Sequence, residues 1–180
     1  MKNIVLGVTG SIAAYKAADI ANSLTKEGNS VYVVMTKAAR EFITPLTFQT
    51  LTKNRVYTDI FSEDEPSRVC HIALAEQADL VLVAPASADI IAKASAGIAD
   101  DLLSAVLLAA GNKPVVYCPA MNTAMYENPV TQRNISVLRQ FGYDFVEPRE
   151  ARLACGTVGR GALADNETIL AYVRNILAKL

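Results

Sequence analysis

The chain has 180 residues, 19% of them charged, and a net charge of −1. That length suits about one domain, residues 1–180 taken together, better than two. The absent basic excess excludes a charge-driven nucleic-acid footprint. Apolar stretches such as 102–110 fall short of the roughly 20 residues that span a bilayer. Met1-Lys2-Asn3 also runs into a strand-like segment without a cleavage-site pattern. Three cysteines without close pairing fit a reducing compartment, so a cytoplasmic protein that engages neither membrane nor nucleic acid is expected.

Short apolar runs then alternate with helical patterns. Residues 4–8 read as a strand before a helix over 11–26. Residues 31–35 precede a helical 37–43, and Pro45 opens another short helix. Residues 80–83 precede helices over 88–96 and 101–110, and 115–118 precede a helix over 130–141. Residues 143–146 lead into a final helix over 167–177. Strand runs without period-two alternation are what burial on both faces produces. Their regular interleaving with helices predicts an α/β fold, a doubly wound and mostly parallel sheet with helices on both faces, Rossmann- or flavodoxin-like. Two irregular stretches, 59–69 and 148–161, are long enough to be binding loops or lids.

Five segments and one histidine carry chemistry. After the first strand, Gly10 would allow close backbone approach to a ligand, and Ser11 is placed to cap the next helix, whose free amides suit an anion. This turn is neither a P-loop nor Gly-x-Gly-x-x-Gly. The second strand ends in Met35-Thr36-Lys37, where a dinucleotide site would carry a ribose-binding acid. A mononucleotide such as FMN therefore fits better than a dinucleotide. Pro85-Ala86-Ser87-Ala88-Asp89-Ile90 follows the third long strand; its small residues would let a ring lie on the backbone, beside the hydrogen-bonding Ser87 and Asp89. Pro119-Ala120-Met121-Asn122-Thr123-Ala124-Met125 follows the next strand and sets one uncharged polar group, Asn122, in a soft apolar wall. The only histidine, His71, is the residue type that most often carries proton transfer. Late in the chain, three arginines (Arg149, Arg152, Arg160) and three glycines surround Cys155. Arginines there suit a phosphate or carboxylate and favour a thiolate, and the glycines suggest a pliable flap. Cys70 and Cys118 sit among apolar or strand residues and read as inert.

Together, Gly10-Ser11-Ile12-Ala13-Ala14, Met35-Thr36-Lys37, His71, Pro85-Ala86-Ser87-Ala88-Asp89, Pro119-Ala120-Met121-Asn122 with Met125, and Arg152-Leu153-Ala154-Cys155-Gly156 resemble the flavin-dependent cysteine decarboxylases. The similarity is greatest to the members that decarboxylate phosphopantothenoylcysteine in coenzyme A biosynthesis. Asp89 stands where some members carry Asn.

The resemblance implies FMN as cofactor and 4′-phospho-N-pantothenoylcysteine as substrate. It implies a route through oxidation of the thiol-bearing carbon to a thioaldehyde, loss of carbon dioxide, and re-reduction of the enethiolate to 4′-phosphopantetheine. His71, Asn122 and Cys155 would be catalytic. Gly10, Ser11, Ile12, Thr36, Lys37, Ala38, Ser87, Ala88, Asp89, Ile90 and Met121 would hold FMN. Asn122, Arg152, Ala154 and Leu163 would line the substrate, and no metal is implied. A homo-oligomer, a trimer or a dodecamer with sites between subunits, is implied, and a stand-alone decarboxylase without a fused synthetase. Within the same family, a peptidyl-cysteine decarboxylase is the alternative, and a flavin prenyltransferase would lack the Met-Asn-x-x-Met and Ala-Cys-Gly segments. A non-catalytic flavin-binding regulatory subunit is the alternative of a different class; retention of His71, Asn122 and Cys155 argues against it.

Overall fold

The computed structural model describes residues 1–61, 69–152 and 158–180. Strand β1 (Asn3–Val8) leads to helix α1 (Ala14–Lys26), and β2 (Ser30–Met35) leads through a 3-10 turn (Ala39–Glu41) to α2 (Pro45–Thr52) and the short β3 (Val56–Tyr57). Next come α3 (Cys70–Gln77), β4 (Leu80–Ala86), α4 (Ala88–Ala96), α5 (Leu102–Ala109) and β5 (Val115–Pro119). The chain continues with α6 (Thr123–Glu127), α7 (Pro129–Gln140), β6 (Asp144–Phe145), β7 (Arg149–Arg152), β8 (Val158–Ala162) and α8 (Asn166–Leu177).

Strands β1 to β6 form one parallel sheet in the order β3-β2-β1-β4-β5-β6. This is the doubly wound arrangement that the alternating runs predict. Successive side chains of a strand face opposite sides, and the two cores divide accordingly. Ile4, Leu6 and Val8 join Val31, Val33, Leu80, Leu82 and Val116 beneath α1 and α8. Val5, Val34, Val81, Val83, Val115 and Tyr117 pack on the other face against α3, α4, α5 and α7. With both faces covered, every inner-strand position can be apolar, which is why the runs show no alternation.

Three local readings are corrected. The predicted helix over 37–43 shrinks to the 3-10 turn, because Thr44 precedes Pro45 and takes an extended conformation (ψ 150°). Helix α1 begins at Ala14, so Ser11 is not its cap. Ser11 instead closes a tight turn, its Oγ accepting from the Ala13 amide (3.3 Å) and its carbonyl from the Ala14 amide (2.9 Å). The stretch 148–161, expected to be irregular, contains the two strands of an antiparallel ribbon, β7 against β8, separate from the main sheet. Residues 62–68 of the other expected loop lie outside the described residues.

The order of the strands reverses between β1 and β4, so the connections that follow them leave toward opposite faces and open a crevice at the carboxyl edge. Thr9, buried at the end of β1, holds the two strand ends together. Its hydroxyl donates to the Pro85 carbonyl (2.8 Å) and accepts from the Ser87 amide (2.9 Å). Thr9→Val is isosteric but strands both backbone groups, so the urea midpoint should fall by the equivalent of about 1–3 kcal/mol. Thr9→Ser should keep most of the stability, and a Thr9→Val chain with an unchanged midpoint would show that the tie carries no energy.

Candidate functional site

Two adjoining cavities occupy the crevice. The first, about 550 Å³, lies between the turn after β1 (Gly10 to Ala13), the segment Ala120 to Asn122 and the ribbon residues Arg149, Ala151 and Gly161 to Leu163. The second, about 530 Å³, lies between Thr36 to Ala38 and the α4–α5 corner. They share Gly10, Ser87, Ala88 and Met125, so one extended ligand can occupy both. Ser87 sits at the seam and caps α4, its Oγ accepting from the Ile90 amide (3.3 Å). The helix thus turns its amino end and positive dipole toward the seam, which favours an anion there.

Gly10 is a glycine for a reason other than ligand approach. A Cβ at this position would come within 2.5 Å of the Ala38 Cβ, so the turns after β1 and β2 could not meet. Thr36 steadies the second turn, its Oγ1 accepting from the Ala39 amide (3.2 Å) while its own amide donates to the Val8 carbonyl (3.1 Å).

Asn122 is the amino cap of α6; its Oδ1 accepts from the Ala124 amide at 2.8 Å, which fixes the orientation of the carboxamide at the cavity wall. The ribbon is clamped onto this segment. The Met121 amide donates to the Gly161 carbonyl (2.9 Å). A Cβ at Gly161 would approach the Met121 carbonyl oxygen to 2.3 Å, and one at Gly159 would meet the Thr123 side chain at 2.6 Å. These two glycines allow the ribbon to pack closely on the segment after β5. Glu147 strengthens the clamp. It accepts from Tyr126 Oη (2.8 Å) and Arg160 (2.9 Å) on one oxygen and from Arg139 on the other, with Arg160 also over the Tyr126 ring.

At the α4–α5 corner, Lys93 Nζ meets Asp100 (3.0 Å), Asp89 (3.4 Å) and Asp101 (3.5 Å). Partial burial alone would lower the Lys93 pKa. The hydrogen bond with Asp100 and the fields of Asp89, Asp101 and Asp100 outweigh it and raise the ammonium above its usual range. The same hydrogen bond holds the Asp100 carboxyl below its usual range. Asp101 also caps α5 in a reciprocal box with Ser104.

The structure brings together most of the residues singled out in the sequence. Gly10, Ser11, Ile12, Ser87, Ala88, Met121, Asn122 and Leu163 line the first cavity; Thr36, Lys37, Ala38 and Asp89 line the second. Ile90 lines neither cavity: its side chain is fully buried in the core under α4 and its amide donates to the Ser87 cap. His71 lies at the start of α3 and lines neither; its Nδ1 is buried without a hydrogen-bond partner among the described residues. Ala154 and Cys155 lie outside the described residues, as does the side chain of Arg152. Of the other two late arginines, Arg149 lines the first cavity while its Nε meets Asp165 (3.3 Å), and Arg160 is engaged by Glu147. Cys118 is fully buried, which pushes its thiol pKa upward and leaves it inert. Sequence reading missed Tyr15, Lys16 and Phe42 in the first cavity. Lys16 was legible as a cation one turn beyond the Gly-Ser turn, whereas Phe42 sits in a turn without periodicity.

The flavoprotein family profile matches residues 1–178. A Streptococcus mutans protein named as a probable phosphopantothenoylcysteine decarboxylase is 53% identical over 98% of this chain and 99% of its own length. The coenzyme A biosynthesis bifunctional protein CoaBC of Bacillus subtilis is 51% identical over 94% of this chain, which spans 41% of that protein. Among solved structures, a Cys-to-Ser variant of PPC decarboxylase complexed with pantothenoylaminoethenethiol superposes with a TM-score of 0.89 at 32% identity, covering 98% of both chains. The FMN-binding protein AtHal3 superposes with a TM-score of 0.86 at 32% identity, covering 99% of this chain and 98% of that one. Nearly the whole chain is matched on both sequence and fold: it belongs to the flavoprotein family.

Proposed function

We propose that the chain is an FMN-dependent carboxy-lyase that converts 4′-phospho-N-pantothenoylcysteine to 4′-phosphopantetheine and carbon dioxide. The single observation that carries this reading is the meeting of three segments at one crevice. The Gly10–Ser11 turn, the Ser87-capped start of α4 and the Asn122-bearing segment after β5 all face the joined cavities. Whole-length similarity to the named Streptococcus decarboxylase supports the choice of substrate.

The donor set suits FMN. The small residues Gly10, Ala13, Ala88 and Ala120 leave space for a flat ring, and a helix amino end with Ser87 suits a phosphate. Bound FMN supplies the reversible two-electron chemistry that side chains lack. The chain's own groups bind, orient and manage protons. Asn122 orients the substrate carboxylate with an uncharged amide, which avoids holding the departing group too tightly in the ground state. Lys16 and Arg149, cations in the same cavity, suit the substrate phosphate. Cys155 delivers the proton that completes the thiol product, after a thioaldehyde stage has let carbon dioxide leave.

His71 assists oxidation in this reading, and its position favours supply from a second copy of the chain, because it stands apart from both cavities of its own. Exposed apolar groups at the cavity mouth, Ile12 and Tyr15 and Phe42 and Met125, fit a site closed by a neighbouring subunit. A trimer or a higher assembly of trimers goes with this arrangement, as does a cytoplasmic location. No helix among the described residues is long and apolar enough to cross a membrane.

The purified chain should be yellow, sediment as a homo-oligomer and release carbon dioxide from phosphopantothenoylcysteine faster than from a peptide ending in cysteine. A colourless protein that takes up no FMN would refute the assignment. Asn122→Asp keeps an oxygen to cap α6, so folding should survive while the added charge repels the carboxylate. We expect kcat/KM to fall by about 10²–10³ with the melting temperature little changed; retained activity would remove Asn122 from the chemistry. Cys155→Ser should still release carbon dioxide but accumulate an oxidised enethiol product, and normal pantetheine phosphate formation would exclude Cys155 as the proton donor.

A further inference from the structure

The second cavity carries a charge problem that its established parts do not solve. A phosphomonoester brings about −1.5 to −2 charge at neutral pH. Yet among the described residues this cavity is lined by the carboxylates Glu41, Asp89 and Asp101 against the cations Lys37 and Lys93. Asp100, beside it, adds a further carboxylate on Lys93. Asp101 cannot withdraw, because its Oδ1 accepts from the Ser104 amide (2.8 Å) and starts α5. Asp89 is tied to Lys93 by its position one turn earlier on α4. The Lys93 ammonium therefore meets three carboxylates, with Lys37 the other lining cation, in the cavity that also holds the Ser87-capped amino end of α4 suited to a phosphate.

We infer that Lys93 is a positioning residue that neutralises the Asp89–Asp100–Asp101 cluster and so lets the crevice accept the phosphate-bearing form of its flavin. This rests on the FMN reading above and extends it to discrimination between FMN and the uncharged riboflavin. A purely mechanical role, joining the end of α4 to the start of α5, would affect both flavins alike. An electrostatic role separates them, because only FMN carries the phosphate that uncompensated carboxylates repel.

The test is equilibrium binding of FMN and of riboflavin to the flavin-stripped full-length chain, followed by fluorescence quenching at low and high salt. Lys93→Met should raise the FMN dissociation constant about tenfold, the scale of one unit charge acting on a phosphate dianion across a partly solvated cleft. Riboflavin binding should change far less, the FMN deficit should shrink at high salt, and Lys93→Arg should restore FMN binding. Equal losses for both flavins, or no loss for either, would overturn the inference. Should Lys93→Met fail to fold, Asp89→Asn removes one of the exposed carboxylates instead and should tighten FMN relative to riboflavin; an unchanged ratio overturns the inference equally. A wild-type chain that binds neither flavin would bring down the underlying FMN reading, an outcome distinct from the first two.

Discussion

One buried hydroxyl sits where the molecule has to come apart to be useful. Strands β1 and β4 pair as far as Gly7 and Val83, and where their following segments diverge to opposite faces of the sheet Thr9 bonds across the gap. By bonding both the Pro85 carbonyl and the Ser87 amide, Thr9 sets how far the crevice opens and where α4 begins. The Ser87 cap and its dipole follow from that placement, and so does the seam between the two cavities. The Gly10–Ala38 contact repeats the logic on the other side, closing the turns after β1 and β2 to within a methyl group's width. The crevice is thus a cleft with rigid rims, which suits a cofactor that must be held in one orientation.

The opposite wall is built from parts far apart in the chain. Asn122 is set by its own cap, while the ribbon is anchored by the Met121–Gly161 hydrogen bond and the Glu147 cluster. Charge is distributed unevenly across this architecture. The first cavity presents Lys16 and Arg149, and the second gathers its carboxylates around Lys93. The two ends of the crevice thereby differ in electrostatic character as well as in shape.

Much of this was legible in the sequence because local and tertiary signals agreed. The inner strands read correctly since burial on both faces leaves nothing for polar residues to do at Val31–Met35 or Leu80–Val83. Helix α4 runs over 88–96 as the pattern predicts, with Ser87 capping its start and Gly97 ending it in a left-handed conformation (φ 69°). What escaped depends on contacts that periodicity cannot carry. The ribbon was hidden because Gly159 and Gly161 resemble loop residues until Thr123 and Met121 are seen against them. Ile90 looked like part of a binding motif by adjacency, yet a helix turns it inward. Thr9 passed unnoticed inside a Gly-Val-Thr-Gly turn, since its partners lie more than seventy positions later.

The glycine-tight seam between the ribbon and the segment after β5 has an evolutionary corollary. Because Gly159 and Gly161 touch Thr123 and Met121 without room for a methyl group, neither stretch can drift alone. A bulkier residue on one side demands a retreat on the other, so these two distant portions should be inherited as a matched pair. Grafting the late hairpin of a relative onto this scaffold would succeed only if its partner sequence travelled with it.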